Sequence, residues 1–320
     1  MASKKPPAKK TAAKKPASKK LKLLETRAGF VAILGAPNAG KSTLLNRLVG
    51  QKISIVSPKP QTTRMRILGV LTEDKAQIAF IDTPGIFAPK RRLDRAMVNA
   101  AWQSLEGADT ILLLVDAKAK SDELTLAIVG QLQEKKQRVV LVLNKVDSIK
   151  PNILLPLAAK LNESGIVEDT FMISALTGDG VAYLKNYLLA KTKNGPWHFP
   201  EDELSDLPSR LLAAEATREQ LYKQLQQELP YGATVTPESW ETKPDGSAVI
   251  RQSIVVARAN HRPIILGKGG ARIKSISQAA RAEIEKMLGH KVHLFLDVKV
   301  DEKWQDRPAF YQMIGLEFEQ

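Results

Sequence analysis

The sequence predicts two domains of different class: an α/β domain on a mostly parallel sheet, then a smaller α+β domain. Three observations carry this. Between Ala28 and Ile173, short runs rich in β-branched residues show no polar alternation, as in strands buried on both faces. Helical stretches separate these runs, which implies βαβ units. A break at Asn194-Gly195-Pro196 ends the pattern, and the residues beyond it have another order. Length agrees, because 320 residues exceed one typical domain and 43% hydrophobic content is enough for two cores.

Residues 1–22 precede both domains and are predicted to be disordered. They hold nine lysines and no acid, with Lys-Lys pairs at 4/5, 9/10, 14/15 and 19/20. Such a segment has nothing to bury and repels itself into an extended arm that attracts polyanions. Of the net charge of +14 (48 basic less 34 acidic), the tail supplies +9, residues 23–229 supply +3 and residues 230–320 supply +2. An electrostatic arm and a merely solubilising extension both fit. Arginine is absent before Arg27, against an organelle-targeting peptide, and no apolar segment follows the basic run to make a signal peptide. Zero cysteines exclude a disulfide framework, a thiol nucleophile and any cysteine-based metal site. Apolar runs such as Ile111 to Val115 fall far short of the roughly 20 residues that cross a bilayer. The expectation is a cytoplasmic, monomeric protein.

In the first domain, residues 23–195, strands are expected at Phe30–Leu34, Gln77–Ile81, Thr110–Val115, Arg138–Leu143 and Asp169–Ile173. Helices are expected at about 42–49, 92–106, 122–135, 152–164 and 180–191, with Asp122 and Glu123 capping the third. A linker is expected at 196–205, and residues 206–320 form the second domain. There Leu207 to Leu229 reads as one long helix closed by Pro230-Tyr231. Two strands, Ala233–Thr242 and Ala248–Ala257, flank the turn Pro244-Asp245-Gly246. A glycine-rich turn at 267–270, a helix from Ala271 to Leu288 and a strand from Val292 to Val300 complete the order.

Gly35-Ala36-Pro37-Asn38-Ala39-Gly40-Lys41-Ser42 has the pattern of a phosphate-binding loop between a buried strand and a helix. Its backbone amides and the helix N-terminus suit anionic phosphates, Lys41 neutralises charge, Ser42 offers an oxygen to Mg²⁺, and Thr43 continues the contact surface. Alone this indicates a nucleoside triphosphate. Asp82-Thr83-Pro84-Gly85 places a carboxylate at a strand end, where it can hold Mg²⁺, and the Gly85 amide near the γ-phosphate. Asn144-Lys145-Val146-Asp147 follows another strand end. The Asp147 carboxylate accepts from guanine N1 and N2, donors that adenine lacks. Ser174-Ala175-Leu176 ends the next strand and can close over the base.

The order and spacing of these four elements resemble the translation-factor-related GTPases. The resemblance implies that Gln61-Thr62-Thr63-Arg64 lies in the loop that orders around the γ-phosphate and Mg²⁺, with Thr63 the first choice for the metal-sensing hydroxyl and Thr62 the second. Ser42, Thr63 and Asp82 are then the Mg²⁺ set. Lys41, Asn38, Thr63 and Gly85 are the catalytic set. Ile86 stands where many such proteins carry a water-orienting glutamine, so intrinsic turnover is expected to be slow. Asn38 has two readings: the resemblance implies a residue that helps hold K⁺ near the β/γ bridge, and asparagine also stabilises tight turns.

Residues 246–282 hold seven basic residues and no acid: Arg251, Arg258, Arg262, Lys268, Arg272, Lys274 and Arg281. They surround Gly267-Lys268-Gly269-Gly270, a Gly-x-x-Gly turn between an apolar segment and a helix. Their order resembles the type II KH fold, in which such a turn approaches about four nucleotides of single-stranded nucleic acid. Arg262, Lys268, Arg272 and Lys274 are the expected RNA contacts with the three glycines. His261, His290 and His293 lack the partners of a metal set. A phosphate-loop domain joined to this one resembles the bacterial Era GTPases over about residues 26–316, on the phosphate loop, Gln61 to Arg64, Ser205 to Arg210, Glu228 to Tyr231, and Gly267 to Lys274. The resemblance implies GTP hydrolysis, binding to the 3′ end of small-subunit (16S) ribosomal RNA, assembly of the 30S particle, and association with an anionic membrane surface at the inner face of the cell. A passive RNA chaperone with structural nucleotide is the alternative, and Ile86 keeps it open.

Overall fold

A seven-stranded sheet forms the centre of the first domain in the computed structural model, which describes residues 26–119 and 123–318. The expected disordered tail and Asp122 lie outside the described residues. The elements run β1 (Arg27–Leu34), α1 (Lys41–Val49), β2 (Ile67–Glu73), β3 (Ala76–Asp82), α2 (Arg92–Gln103), β4 (Thr110–Asp116), α3 (Glu123–Glu134), β5 (Val139–Asn144), α4 (Pro151–Asn162), β6 (Val167–Met172), α5 (Val181–Lys191) and β7 (Lys193–Asn194). The sheet order is β2-β3-β1-β4-β5-β6, with β7 pairing against β1. The links from β3 to β6 are parallel. β1, β3, β4 and β5 are buried along nearly their whole length, the state that their unalternating sequence indicates.

Two strands go beyond the sequence reading. β2 pairs antiparallel with β3 from Ile67↔Asp82 to Glu73↔Ala76 and forms the sheet edge. β7 pairs antiparallel with β1 through Arg27↔Asn194 and Ala28↔Lys193, where the sequence suggests only a break. Beyond it, residues 197–205 lie along the sheet: Gln77 accepts from His198 N (2.9 Å) and Phe199 N (3.0 Å), and Val70 N donates to Leu204 O (3.0 Å).

The second domain contains α6 (Ser209–Gln224), β8 (Ala233–Thr242), β9 (Ala248–Val256), α7 (His261–Leu266), α8 (Ala271–Leu288), β10 (Val292–Val300) and α9 (Pro308–Met313). Its sheet is mixed, with β9 antiparallel to β8 and parallel to β10. The expected long helix is shorter than its reading. It stops at Gln224 because Leu225 turns extended (ψ 152°) and enters the core, and Gln227 takes a positive φ of 53°. A short 3₁₀ turn, Leu229–Gly232, then leads into β8. α6 and α8 cover one face of the sheet with Ala214, Leu221, Ile254, Val256 and Ile276 in a common core. Trp304, Phe310, Tyr311 and Ile314 pack in one apolar cluster with Met65, Leu93 and Met97, so the C-terminal helix belongs as much to the junction as to the second domain.

Candidate functional site

Strand order brings the site together. β1 is flanked by β3 and β4, which leave it in opposite directions along the sheet, and open α/β sheets bind ligands outside the carboxyl strand ends at such a switch point. The loops after β1, β3 and β5 all open there, around a cleft of about 520 Å³ whose walls include Asn38, Lys41, Thr63, Gly85 and Lys145. Gly35 takes a φ of 151° and Gly40 one of 100°. A Cβ on Gly40 would come within 2.2 Å of Asn144 Nδ2, so the loop can sit this close to β5 only with glycine there.

Asn144 ties three loops. Its Nδ2 donates to Ala39 O (2.8 Å), and its Oδ1 accepts from Ala175 N (2.9 Å). Lys145 donates to Asn38 O (2.6 Å) and to the carboxylate of Asp116 (2.7 Å). Asp116 was missed by the sequence reading, although it ends a strand at the same sheet edge as Asp82. Asp147 is exposed, and the Ser174 hydroxyl beside it holds its carboxyl below the usual carboxylate range. The ionised form is thereby favoured, which suits an acceptor for the ring N1–H and the exocyclic N2–H of guanine. Leu176, in the loop after β6, is 71% exposed and is not among the residues that line the cleft.

Lys41 is buried, and its Nζ donates to Gly35 O (3.1 Å) and Ala36 O (3.0 Å). Burial lowers its pKa from 10.5 to about 8, against the opposing charge of Asp82. Thr43, next along α1, lines the same cleft.

Ser42, Thr63 and Asp82 meet directly. Ser42 Oγ lies 2.8 Å from Thr63 Oγ1 and donates to Asp82 Oδ2 at 2.6 Å, and Ser54 Oγ donates to the same oxygen at 2.9 Å. Asp82 Oδ1 is buried with no hydrogen-bond partner. Burial pushes the Asp82 carboxyl up, while Ser42 and Lys41 pull it down. Two hydroxyls and an orphaned carboxylate oxygen form a set of hard oxygen donors, which fits Mg²⁺. Thr62 is committed elsewhere: its hydroxyl lies 2.7 Å from Ser57 Oγ and donates to Lys59 O (2.7 Å). Asn38 adopts a φ of 63° and donates to Pro58 O at 3.1 Å, which joins the phosphate loop to the segment carrying Thr63. Ile86 is buried in a core cluster with Ala32, Leu34 and Leu113, and its N–H donates to Gly35 O (3.1 Å).

That segment is also held from the second domain. Arg218 on α6 donates to Thr62 O (2.5 Å) while Nε binds Glu215 (2.8 Å). Glu219 accepts from Val56 N (2.9 Å) and from Lys52 (2.7 Å), and Lys52 also reaches Glu283 on α8 (2.8 Å). In return, Arg64 enters the second domain, where it donates to Ala233 O and Tyr222 OH, each at 2.9 Å, with its guanidinium 5.5 Å from the Trp304 ring. Sequence reasoning found Arg64 only as part of a motif and found none of Lys52, Arg218 or Glu219. Separations of 156 to 231 residues leave no local signal for these contacts.

In the second domain the turn at 267–270 begins a helix with its backbone open to solvent. Gly269 has a φ of 60° and Gly270 one of 78°, and nothing lies within 4 Å of where a Cβ would stand on either. Another chain can therefore approach the backbone there. Arg262, Lys268, Arg272 and Lys274 are all exposed around it, and Arg272 donates to Ile264 O (2.8 Å), which joins the helices on either side of the turn. Arg251 is placed differently, on β9, stacked 4.7 Å over the exposed Phe295 ring.

Comparison with known proteins adds a context for both sites. A family model described as 50S ribosome-binding GTPase matches residues 30–145, and a KH domain model matches residues 228–305. GTPase Era of Erythrobacter litoralis is 53% identical over 298 residues, covering 92% of this chain and 98% of that protein. GTPase Era of Sinorhizobium medicae is 55% identical over 295 residues, covering 92% and 94%. Among solved structures, Era in complex with MgGDPNP and nucleotides 1506–1542 of 16S ribosomal RNA superposes with a TM-score of 0.86 at 41% identity, covering 91% of this chain and 99% of that one. A variant of Aquifex aeolicus Era bound to GDP and aluminium fluoride gives the same TM-score, identity and coverage.

Proposed function

The chain belongs to the GTPase Era family, and from that premise we propose that it is a GTP-switched RNA-binding protein acting on the 3′ end of 16S ribosomal RNA during 30S assembly. One observation carries the reading most directly. Thr63 touches Ser42 at the nucleotide cleft, while the carbonyl of the preceding residue, Thr62, is held by Arg218 of the RNA-binding domain. A segment that senses the γ-phosphate is thereby fastened to the domain whose affinity is to be switched.

GTP enters with its phosphates on the loop from Gly35 to Ser42. Loop amides take the phosphate oxygens, Lys41 neutralises their charge, and Asp147 accepts the guanine N–H groups. Ser42, Thr63 and Asp82 would hold Mg²⁺, which supplies charge neutralisation across the β- and γ-phosphates. Asn144 keeps the loop, the base site and the closing segment in register through its bonds to Ala39 and Ala175. No polar side chain at position 86 orients water, so turnover is slow until a further charge is placed near the β/γ bridge. Asn38 would hold K⁺ there, and the ion would supply that charge. GTP hydrolysis is expected to run faster in K⁺ than in Na⁺, with the difference gone in Asn38→Ala; steady-state phosphate release in matched chloride salts checks this, and equal rates in both salts would rule the cation out.

At the second domain, the turn Gly267 to Gly270 approaches the RNA strand with its backbone open at Gly269 and Gly270, while Arg262, Lys268, Arg272 and Lys274 meet its phosphates. Gly269→Asp places a carboxylate at that approach. It is expected to weaken binding of a single-stranded 16S 3′-end fragment by at least about tenfold and leave GTP binding unchanged. Titration of both ligands on the same sample tests this, and retained RNA affinity would remove the turn from the interface. Buried Ile86 favours a second reading, a passive RNA chaperone in which nucleotide is structural. In that case RNA would leave GTP turnover unchanged and nucleotide would leave RNA affinity unchanged. We place the protein in the cytoplasm as a monomer, with the basic tail available to an anionic membrane surface at the inner face of the cell. No helix among the described residues is long and apolar enough to span a membrane.

A further inference from the structure

The carboxylate of Asp82 carries two hydroxyls on one oxygen and none on the other. Ser42 and Ser54 donate to Oδ2 at 2.6 and 2.9 Å, while Oδ1 is buried with no hydrogen-bond partner. Ser42 belongs to the phosphate loop and lines the nucleotide cleft. Ser54 does neither: it is fully buried in the stretch Ile53-Ser54-Ile55-Val56 and is not among the residues that line the cleft. A hydroxyl that merely satisfied a buried carboxylate would go to the oxygen that lacks a partner. This one doubles the bond that Ser42 already makes.

Ser54 is also held with unusual completeness for a residue outside helix and strand. Asn46 of α1 accepts from Ile53 N and Ser54 N, each at 2.9 Å, and its amide donates to Ser54 O at 2.7 Å. Both main-chain polar groups of Ser54 therefore end on one side chain. On either side, Lys52 and the Val56 N–H bind Glu219 of α6 at 2.7 and 2.9 Å. The hydroxyl is presented to Asp82 from a stretch that α1 and the second domain both fix.

We propose that Ser54 is a positioning residue for the Mg²⁺ site, which with Ser42 pins Asp82 Oδ2 and so keeps Oδ1 available to the metal. The proposal rests on the reading of Ser42, Thr63 and Asp82 given above. The terminal torsion of an aspartate is broad and two-fold, so a single donor leaves the carboxylate free to turn. Donors from two separate segments fix its plane. Held this way, Asp82 keeps the Ser42 proton on itself and leaves the Ser42 lone pairs to a cation. Partners of this outer kind commonly control metal affinity by about 10- to 100-fold without touching the ion. Ser54 carries no sequence motif, and its role follows only from where Asn46 and Glu219 place it.

The test uses the full chain and Ser54→Ala, with GDP affinity titrated in EDTA and across a Mg²⁺ series, and the melting temperature of the nucleotide-free protein recorded for each. In EDTA the two proteins should bind GDP equally, since Ser54 is not on the cleft wall. The Mg²⁺ concentration at half-saturation should rise by about tenfold or more in the variant. GTP turnover lost at low Mg²⁺ should return when Mg²⁺ is raised. An unchanged half-saturation overturns the proposal. Equal loss of GDP affinity with and without Mg²⁺, together with a lower melting temperature, also overturns it, because Ser54 then only supports the fold. If Ser54→Ala does not fold, Ser54→Cys, which fills the position with a weak donor, is read by the same criteria. GDP affinity that ignores Mg²⁺ in the unsubstituted protein strikes the metal reading and the proposal with it, whereas a normal Mg²⁺ response shared by both proteins strikes the proposal alone.

Discussion

Arg218→Met combined with Glu215→Gln is expected to leave GTP and RNA binding in place while removing the influence of one on the other. Arg218 and Glu215 are 1% and 6% exposed and bind each other on α6, and Arg218 alone of the two reaches across to Thr62 O. Removing only the arginine would strand a buried carboxylate, at about 3–5 kcal/mol, and confuse coupling with unfolding. Exchanging both for uncharged side chains of similar volume avoids this. Allosteric couplings commonly change affinity by about 5- to 150-fold. In the double variant the ratio of RNA affinities with a GTP analogue and with GDP should fall below about twofold from whatever value the unsubstituted protein shows in that range. Fluorescence anisotropy of a labelled RNA under both nucleotides measures it, and an unchanged ratio would mean that the connection passes elsewhere.

The largest catalytic loss is expected from Asp82→Asn. The substitution removes the only charge among the oxygens contributed by Ser42, Thr63 and Asp82, and with the amide oxygen turned to the two serine hydroxyls it puts an NH₂, which cannot ligate a cation, in place of the free Oδ1. GTP turnover should drop by about a hundredfold or more, with the Mg²⁺ dependence of nucleotide affinity largely lost. Stability should move the other way. Burial raises the Asp82 pKa, so keeping it ionised above the ordinary carboxylate range costs the folded state, and that cost relaxes as pH falls. The nucleotide-free variant should melt no lower than the unsubstituted protein at pH 7. Normal turnover with Mg²⁺ would show that Asp82 is not part of the metal's support.

How much of the molecule is legible in its sequence depends on how local each signal is. The buried strands of the sheet centre, the hairpin around Asp245 and the helix Ala271–Leu288 are all written in contiguous runs, and the structure has them at those places. β2 escaped because an edge strand paired antiparallel gains its burial from β3 and α1 instead of from its own pattern. The end of α6 was misplaced because Leu225 continues the apolar spacing of the helix while its backbone has already turned extended. In the site, the phosphate loop and the polar residues at strand ends were legible because topology carries them to one edge. The fastening of residues 52–64 to α6 was not, since Lys52 and Arg64 find their partners, and Arg218 reaches the Thr62 carbonyl, only once both domains are folded together.

The central claim is that nucleotide and RNA are coupled through this fastening, and RNA affinity measured on the unsubstituted protein with GTP analogue, with GDP and without nucleotide tests it most directly. The account predicts that RNA affinity differs between the first two by the same factor by which the RNA changes the relative affinities for GTP analogue and GDP, as linkage requires. Equal RNA affinity in all three states would contradict it.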